Sequence, residues 1–242
     1  MGCRWVFKLK KNPNGLGNRY KAHLIAKGYL QTLGFDFTET FSLVVKATSL
    51  RIILTIVLAR GWQLRQLRQL RQLDVNNAFL NGSLQEEVYM DQPPRFEQGK
   101  DLACKLHKAL YGLKQATRAW FVKLKNSLSS LGFTSSKANQ SLFFKNTTTS
   151  YIFILDYVDD IIITGSRNKE LKQLIFHLNK SFSLKDLGEL NYFLGIGVKR
   201  VAKGFHLSQR KYINDLLKKM KMNNANPLPT PMVGGHLKRV IL

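Results

Sequence analysis

The stretch from Tyr151 to Thr164 is apolar on both sides of Val158-Asp159-Asp160. An apolar run interrupted at its centre by two acids reads as a β-hairpin with carboxylates at its turn. A second hairpin is written near the start. Trp5-Val-Phe-Lys-Leu-Lys-Lys11 alternates apolar and basic residues, Asn12-Pro-Asn-Gly15 supplies turn chemistry, and Arg19 to Tyr29 resumes the strand pattern, so lysines share one face. A third is expected from Leu190–Arg200 and Phe205–Leu207, turning at Lys203-Gly204. Helical patterns lie between them. Leu50–Ala59 follows a Thr48 or Ser49 cap and ends at Gly61, and Gln115–Leu131 is basic, amphipathic and closed by Gly132. Asn168–Phe182 carries Asn168 as cap, and Gln209–Met222 is lysine-rich. Pro93-Pro94 marks a turn, and Asn223–Leu242, with three prolines and two glycines, reads as a loose tail. Strands and helices interleave without a regular βαβ repeat, which predicts an α+β fold with antiparallel sheet.

Charge narrows the partners. Against 38 Lys and Arg stand 15 Asp and Glu, a formal net charge of +23 over 242 residues. Such a surface repels itself unless a polyanion is near; nucleic acid is the usual one and acidic membrane the other candidate. No apolar stretch approaches the roughly 18 residues that a membrane span needs. Hydrophobic residues at 44% are enough for a core in one large domain or two small ones. Cys3 and Cys104 are the only cysteines, so neither a disulfide framework nor a cysteine-rich zinc site is expected. Met1–Trp5 lacks an apolar signal core, which disfavours secretion and points inside the cell.

In a basic chain the placing of the acids is informative. Asp74 closes the strand-like Leu73-Asp74-Val75, and Asp159 and Asp160 follow 85 and 86 residues later. If the two strands pair, the carboxylates converge and can bridge two divalent cations roughly 3.5–4 Å apart. Mg²⁺ is the hard, oxygen-seeking choice, and such a pair serves phosphoryl transfer. Aspartates also favour turns on their own account, so the doublet taken alone is more simply a polar turn, and it is the matching Asp at a strand end that points to metal.

Several longer segments occur in order: Leu73-Asp-Val-Asn-Asn-Ala-Phe-Leu-Asn-Gly82, Val88-Tyr-Met-Asp-Gln-Pro-Pro94, Leu106-His-Lys-Ala-Leu-Tyr-Gly-Leu-Lys-Gln115, Tyr157-Val-Asp-Asp160, Tyr192-Phe-Leu-Gly195 and Leu207-Ser-Gln-Arg-Lys-Tyr212. With these, the chain closely resembles the reverse transcriptase domain of copia-type long-terminal-repeat retrotransposon polyproteins, from about Trp5 to Met232. The resemblance implies a right-hand polymerase fingers and palm, with a partial or absent thumb, over residues 1–232, and a non-family tail over 233–242. It implies an RNA-directed DNA polymerase that adds deoxynucleoside triphosphates to a DNA primer on an RNA or DNA template, with two Mg²⁺ and Mn²⁺ as a substitute. No membrane partner is implied. The expected compartment is a cytoplasmic particle or the nucleus.

Residue by residue, Asp74 matches the first metal-binding aspartate, with the Val75 carbonyl as a further ligand, and Asp159 and Asp160 match the signature doublet. Phe79 falls where the family keeps an aromatic gate against a ribose 2′-hydroxyl; without the resemblance it reads as a core aromatic. Gln115 resembles the glutamine lining the incoming nucleotide, or else opens a helix. Lys21 and Lys27 lie on the strand that reaches toward the triphosphate, where a solvated strand face accounts for them equally. Leu187–Gly195 resembles the hairpin that positions the primer end. Tyr111 and Trp120 suit base stacking or, more simply, the core. Arg19, Lys21, Lys114, Arg118, Lys123, Lys218 and Lys219 are the expected phosphate contacts.

The chain also departs from the family. His23 replaces a usual Arg, Leu43 a Pro, Asn139 an Asp and Gly197 a Glu, and Asp156 stands where an apolar residue is usual. Arg65-Gln-Leu, Arg68-Gln-Leu and Arg71-Gln-Leu repeat a unit the family normally holds once. The six extra residues are expected to extend the preceding helix or loop out, leaving Asp74 in place. These changes resemble a drifted element copy, a detached polyprotein fragment, so the alternative function is a catalytically inactive nucleic-acid-binding remnant.

Overall fold

A computed structural model describes residues 1–12, 16–40, 47–59, 71–75, 78–158, 160–201 and 204–225. The chain divides into two compact units, Met1–Leu190 and Asn191–Leu242. Among the described residues the strand pairings are antiparallel, with one isolated parallel bridge between Leu33 and Phe37, as an α+β chain requires.

The first unit opens with the expected hairpin, β1 (Cys3–Lys11) against β2 (Gly17–Ala26). Its register puts Trp5 opposite Leu24, Phe7 opposite Ala22 and Leu9 opposite Tyr20, alternating with Lys8 opposite Lys21 and Lys10 opposite Arg19. Antiparallel partners share a face, so one side of the ribbon is apolar and the other basic. Next come α1 (Ala47–Ala59), β3 (Arg71–Val75), a 3₁₀ turn (Ala78–Asn81) and the hairpin β4 (Ser83–Asp91) with β5 (Ala103–Lys108). This last hairpin was signalled in the sequence only by Pro93-Pro94. Then follow α2 (Ala116–Ser130), β6 (Thr134–Ser135), β7 (Leu142–Asn146), β8 (Tyr151–Tyr157), β9 (Asp160–Gly165), α3 (Asn168–Phe182) and β10 (Leu184–Glu189). The N-cap of α3 is Arg167 in extended conformation, one residue before the expected Asn168.

A six-stranded sheet in the order β10-β3-β9-β8-β7-β6 is the centre of this unit. Ile152, Ile154, Ile161 and Ile163 alternate along β8 and β9 and join one buried cluster with Trp120, Leu124 and Leu128 of α2 and Leu171, Leu174, Leu178 and Phe182 of α3. Each such side chain contributes roughly 1.5–3 kcal/mol by leaving water. Trp120 meets Phe182 edge to face at 5.2 Å. The intervening Leu155 and Ile162 are buried too, so both faces of this hairpin are covered. Two-sided burial explains why its sequence is apolar without alternation. Asp156 lies in that run at 4% exposure, with its backbone N–H donating to Ser141 at 2.9 Å.

A smaller cluster joins Cys3, Ala26, Val88, Met90, Ala109, Leu113 and Ala116. Here the end of β2 meets the Tyr111-Gly112 turn: Ala26 N–H donates to the Tyr111 carbonyl at 2.8 Å. Gly112 has φ +94°, and a Cβ on it would stand 2.1 Å from the Ala26 carbonyl oxygen. Only glycine accepts both conditions.

In the second unit β11 (Tyr192–Phe193), β12 (Ile196–Val201) and β13 (Gly204–Ser208) form a three-stranded sheet, followed by α4 (Arg210–Lys219). The expected Leu187–Gly195 hairpin is not a single element. Leu187 belongs to β10, whereas Tyr192–Phe193 form β11, and the chain turns at Leu194 and Gly195, both with positive φ. Leu43, Gly61, most of the Arg-Gln-Leu repeat and the tail from 226 lie outside the described residues.

Candidate active site

The third Arg-Gln-Leu unit, Arg71–Leu73, forms the first three residues of β3. This strand pairs with β9 in the register Arg71–Ile163, Gln72–Ile162, Leu73–Ile161 and Asp74–Asp160. Directly opposed antiparallel residues have Cα atoms about 4.5–5.5 Å apart and share a face. Two acids 86 positions apart in the chain are thus neighbours across the sheet. On the other edge of β3, Lys185 of β10 is opposite Asp74 and Leu184 is opposite Val75. Asp160 is half-buried.

The turn that delivers Asp160 is tight. Tyr157 pairs with Asp160, leaving two residues between the strands. Val158, the first of them, has φ +58°. A positive φ at this position matches the primed turns whose twist suits a hairpin, but a β-branched residue there is strained by about 1–3 kcal/mol. Buried pairing on both flanking strands over-determines it. Asp159, the second, lies outside the described residues.

Phe79 sits in the 3₁₀ turn, half-buried, and touches both buried clusters. Its ring meets Tyr111 edge to face at 4.9 Å, and Tyr111 in turn meets His23 at 5.7 Å. His23 therefore occupies the hairpin's inner face as an aromatic neighbour of Tyr111. Trp120 is fully buried in the main core, which settles its role as packing. Lys21, in β2, is partly buried, with Lys8 opposite.

Gln115 stands at the N-cap position of α2. It is 2% exposed, its Oε1 accepts from Gln31 Nε2 at 3.0 Å, and its Nε2 donates to the Asp36 carbonyl at 2.8 Å. Both ends of the amide are engaged inside the protein, tying the 27–40 segment to the start of α2. Lys114 serves the same joint: its backbone N–H donates to Gln31 Oε1 at 2.8 Å and its ammonium to the Gln31 carbonyl at 3.1 Å, above the Phe37 ring. Gln31, 5% exposed, was not singled out by sequence because a lone glutamine between Leu30 and Thr32 has no spacing signal. Arg118 forms an ion pair with Glu39. Lys123 on α2 is exposed; Lys218 and Lys219 are exposed on α4 of the second unit.

Asp74 and Asp160 stand at paired register positions of β3 and β9, and aspartate is a residue type that supplies the oxygen ligands a hard divalent cation takes. No helix among the described residues is long and apolar enough to cross a membrane.

An α+β chain with acids from two distant segments meeting on one sheet is an arrangement suited to metal-dependent chemistry on a polyanion. Over residues 1–234 the chain matches the family described as reverse transcriptase (RNA-dependent DNA polymerase), and it belongs to that family. It is 52% identical over 234 residues to the retrovirus-related Pol polyprotein from transposon RE1 of Arabidopsis thaliana, covering 96% of this chain and 16% of that protein. The corresponding polyprotein from transposon RE2 of the same plant is 51% identical over the same length, with the same coverage. The polyprotein from transposon TNT 1-94 of Nicotiana tabacum is 44% identical over 241 residues, 98% of this chain and 18% of that one. The copia-type resemblance is therefore borne out, and the chain spans less than a fifth of the curated relatives it matches. The family generally uses divalent metals and implies nucleic-acid template and primer.

Proposed function

We propose that this chain is the polymerase portion, residues 1–232, of a copia-type retrotransposon polyprotein, with fingers and palm of a right-hand polymerase, extending a primer with deoxynucleotides on an RNA or DNA template. The observation that carries this reading is the Asp74–Asp160 register across β3 and β9. Asp74, Asp160 and Asp159, with the Val75 carbonyl, would hold two Mg²⁺. Bound there, the cations would supply activation of the primer 3′-hydroxyl and neutralisation of the leaving pyrophosphate.

The chain's own residues do the rest. The Phe79 ring, braced against Tyr111, stands as the steric gate against a 2′-hydroxyl. Lys21 presents charge from the basic face of the β1–β2 ribbon toward the triphosphate. Gln115 acts by holding the 27–40 segment in place rather than by offering its amide to the nucleotide. Lys123, Lys114 and Arg118 on one unit and Lys218 and Lys219 on the other contact backbone phosphates, with Arg118 exchanging its exposed Glu39 partner for one.

A second reading, an inactive remnant that still binds nucleic acid, is favoured by one observation. Asp156, three residues before the doublet, is a buried carboxylate in a run whose sequence is otherwise apolar. A charge in the interior must be repaid by its partners, and this one stands two residues before the strained Val158.

Primer extension with Mg²⁺ or Mn²⁺ separates the two. The polymerase reading expects metal-dependent product that Asp160→Asn reduces by on the order of a thousandfold, the thermal midpoint staying unchanged. Folded parent protein that binds template-primer and makes no product would establish the remnant.

A further inference from the structure

Gln31 takes no part in the chemistry proposed above, yet its polar atoms are all committed. It follows a 3₁₀ turn over Gly28–Leu30 and is 5% exposed. Its backbone N–H donates to the Gly28 carbonyl at 3.1 Å, and its own carbonyl accepts from the Lys114 ammonium at 3.1 Å. Its Oε1 accepts from the Lys114 backbone N–H at 2.8 Å, and its Nε2 donates to Gln115 Oε1 at 3.0 Å. A side-chain amide gives and takes hydrogen bonds from opposite corners of one planar head, so it can clamp two successive residues at once.

The residues it clamps close the turn that carries Tyr111. The segment before Gln31 holds the opening of that turn. Ala26 N–H donates to the Tyr111 carbonyl at 2.8 Å, and a Cβ on Gly28 would stand 1.9 Å from the Gly112 carbonyl oxygen. Residues 26–31 and 111–115 are thus joined at both ends, by close approach and backbone bonding at one and by the Gln31 amide at the other. Tyr111 passes the constraint on. Its ring meets Phe79 edge to face at 4.9 Å, and Phe79 follows Asp74 by five residues. A gap of about 0.5–1 Å already forfeits a quarter to a half of a van der Waals contact. A ring that refuses a single oxygen atom works on that scale.

We propose that Gln31 is a positioning residue for sugar selection. By fixing the 111–115 turn it sets where Tyr111 braces the Phe79 ring, and so how firmly a ribose 2′-hydroxyl is refused. The inference deepens the proposed function and rests on its assignment of Phe79 as the gate. A glutamine that merely satisfied the interior would affect deoxy- and ribonucleotides alike.

The test reads nucleotide affinity rather than turnover. The full chain is bound to a template-primer ending in a dideoxynucleotide, with Mg²⁺ present, and matched deoxy- and ribonucleoside triphosphates are titrated. Phe79→Val sets the scale for loss of the gate. Gln31→Met keeps the volume and removes both side-chain bonds. It is expected to lower the preference for the deoxynucleotide about tenfold, with deoxynucleotide affinity within about threefold of the parent. Added to Phe79→Val it should change the preference no further, because no ring is left to place. Gln31→Glu keeps the acceptor for Lys114 N–H and loses the donor to Gln115, so a smaller fall in preference is expected; it carries the test if Gln31→Met does not fold. Amide exchange should quicken at Leu113–Ala116 in both variants and stay unchanged in β8.

An unchanged preference, or an equal loss of affinity for both nucleotides, would overturn the proposal. So would a fall as large in the Phe79→Val background as in the parent. A parent that selects the deoxynucleotide yet extends no primer sinks the catalytic reading and leaves this one standing. A parent that binds neither nucleotide, or a Phe79→Val chain with the parent's preference, removes the gate and the role of Gln31 with it.

Discussion

The six-stranded sheet and the β1–β2 ribbon of the first unit use strands of similar length in opposite ways. In β8 and β9 Ile154, Leu155, Ile161, Ile162 and Ile163 are all buried, and helices α2 and α3 close one side. Among the described side chains of the ribbon, burial is confined to its base at Cys3 and Ala26, while Phe7 and Tyr20 face solvent. A two-stranded ribbon is marginal by itself, so its position is set by the seam at Tyr111-Gly112 rather than by a core of its own. The sheet can hold a strained Val158 and register-paired acids because packing over-determines it. The ribbon can present rings and cations because little packing claims them.

That contrast can be broken at several points, and the largest effect is expected in the sheet. Trp120→Ala should lose about 3–5 kcal/mol in denaturant unfolding, whereas Phe7→Ala in the ribbon should stay within about 0.5 kcal/mol of the parent. Comparable losses at the two sites would mean that the ribbon is packed after all. The seam comes next. Gly112→Ala must push aside the Ala26 carbonyl and adopt a left-handed φ, so a loss of about 2–4 kcal/mol is expected. Amide exchange in β1 and β2 should rise more than in β8, and unchanged protection of the ribbon would remove the seam from the account.

Asp156→Val addresses the sheet from the other direction. Replacing a buried carboxylate opposite Ile161 with an apolar side chain of strand propensity should raise stability by about 1–2 kcal/mol. Thermal unfolding at neutral pH reads it, and a fall in the midpoint would mean that the carboxylate holds the signature turn together. The smallest effect concerns the ribbon's base. Burial, with Asp91 beside it, pushes the Cys3 thiol above its ordinary value. A thiol raised on folding stabilises the native state below the ordinary thiol pKa, and that contribution fades as pH climbs through the raised value. Alkylation at mildly alkaline pH should therefore label partly exposed Cys104 well before Cys3. Equal rates, followed by mass spectrometry, would show the base of the ribbon opening.

Much of the architecture was legible because local periodicity reports which faces are covered. The hairpin around the acidic doublet, the ribbon with lysines on one face, and the Asn168–Phe182 helix follow from alternation and helical spacing. The β4–β5 pair and β10 were not legible. Ser83–Asp91 has little apolar alternation, and Leu184–Glu189 carries Lys185, Asp186, Gly188 and Glu189 in a strand that gains its place only by pairing with β3. At the site, the residue types were legible and their partners were not. Nothing near Gln115 announces that its amide will be taken by Gln31 and Asp36, two segments away.

From sequence alone came the basic charge, the order of the family motifs, the acids themselves and the two-faced character of the first hairpin. Tertiary structure decided that Asp74 would stand opposite Asp160, that Asp156 would be buried and that the aromatic side of the ribbon would face a proline turn across an open cleft. The reason is one of range. Side-chain alternation is written within a few residues, but strand partners are chosen by burial summed over the whole sheet, where a slip of one residue would turn every core side chain toward water.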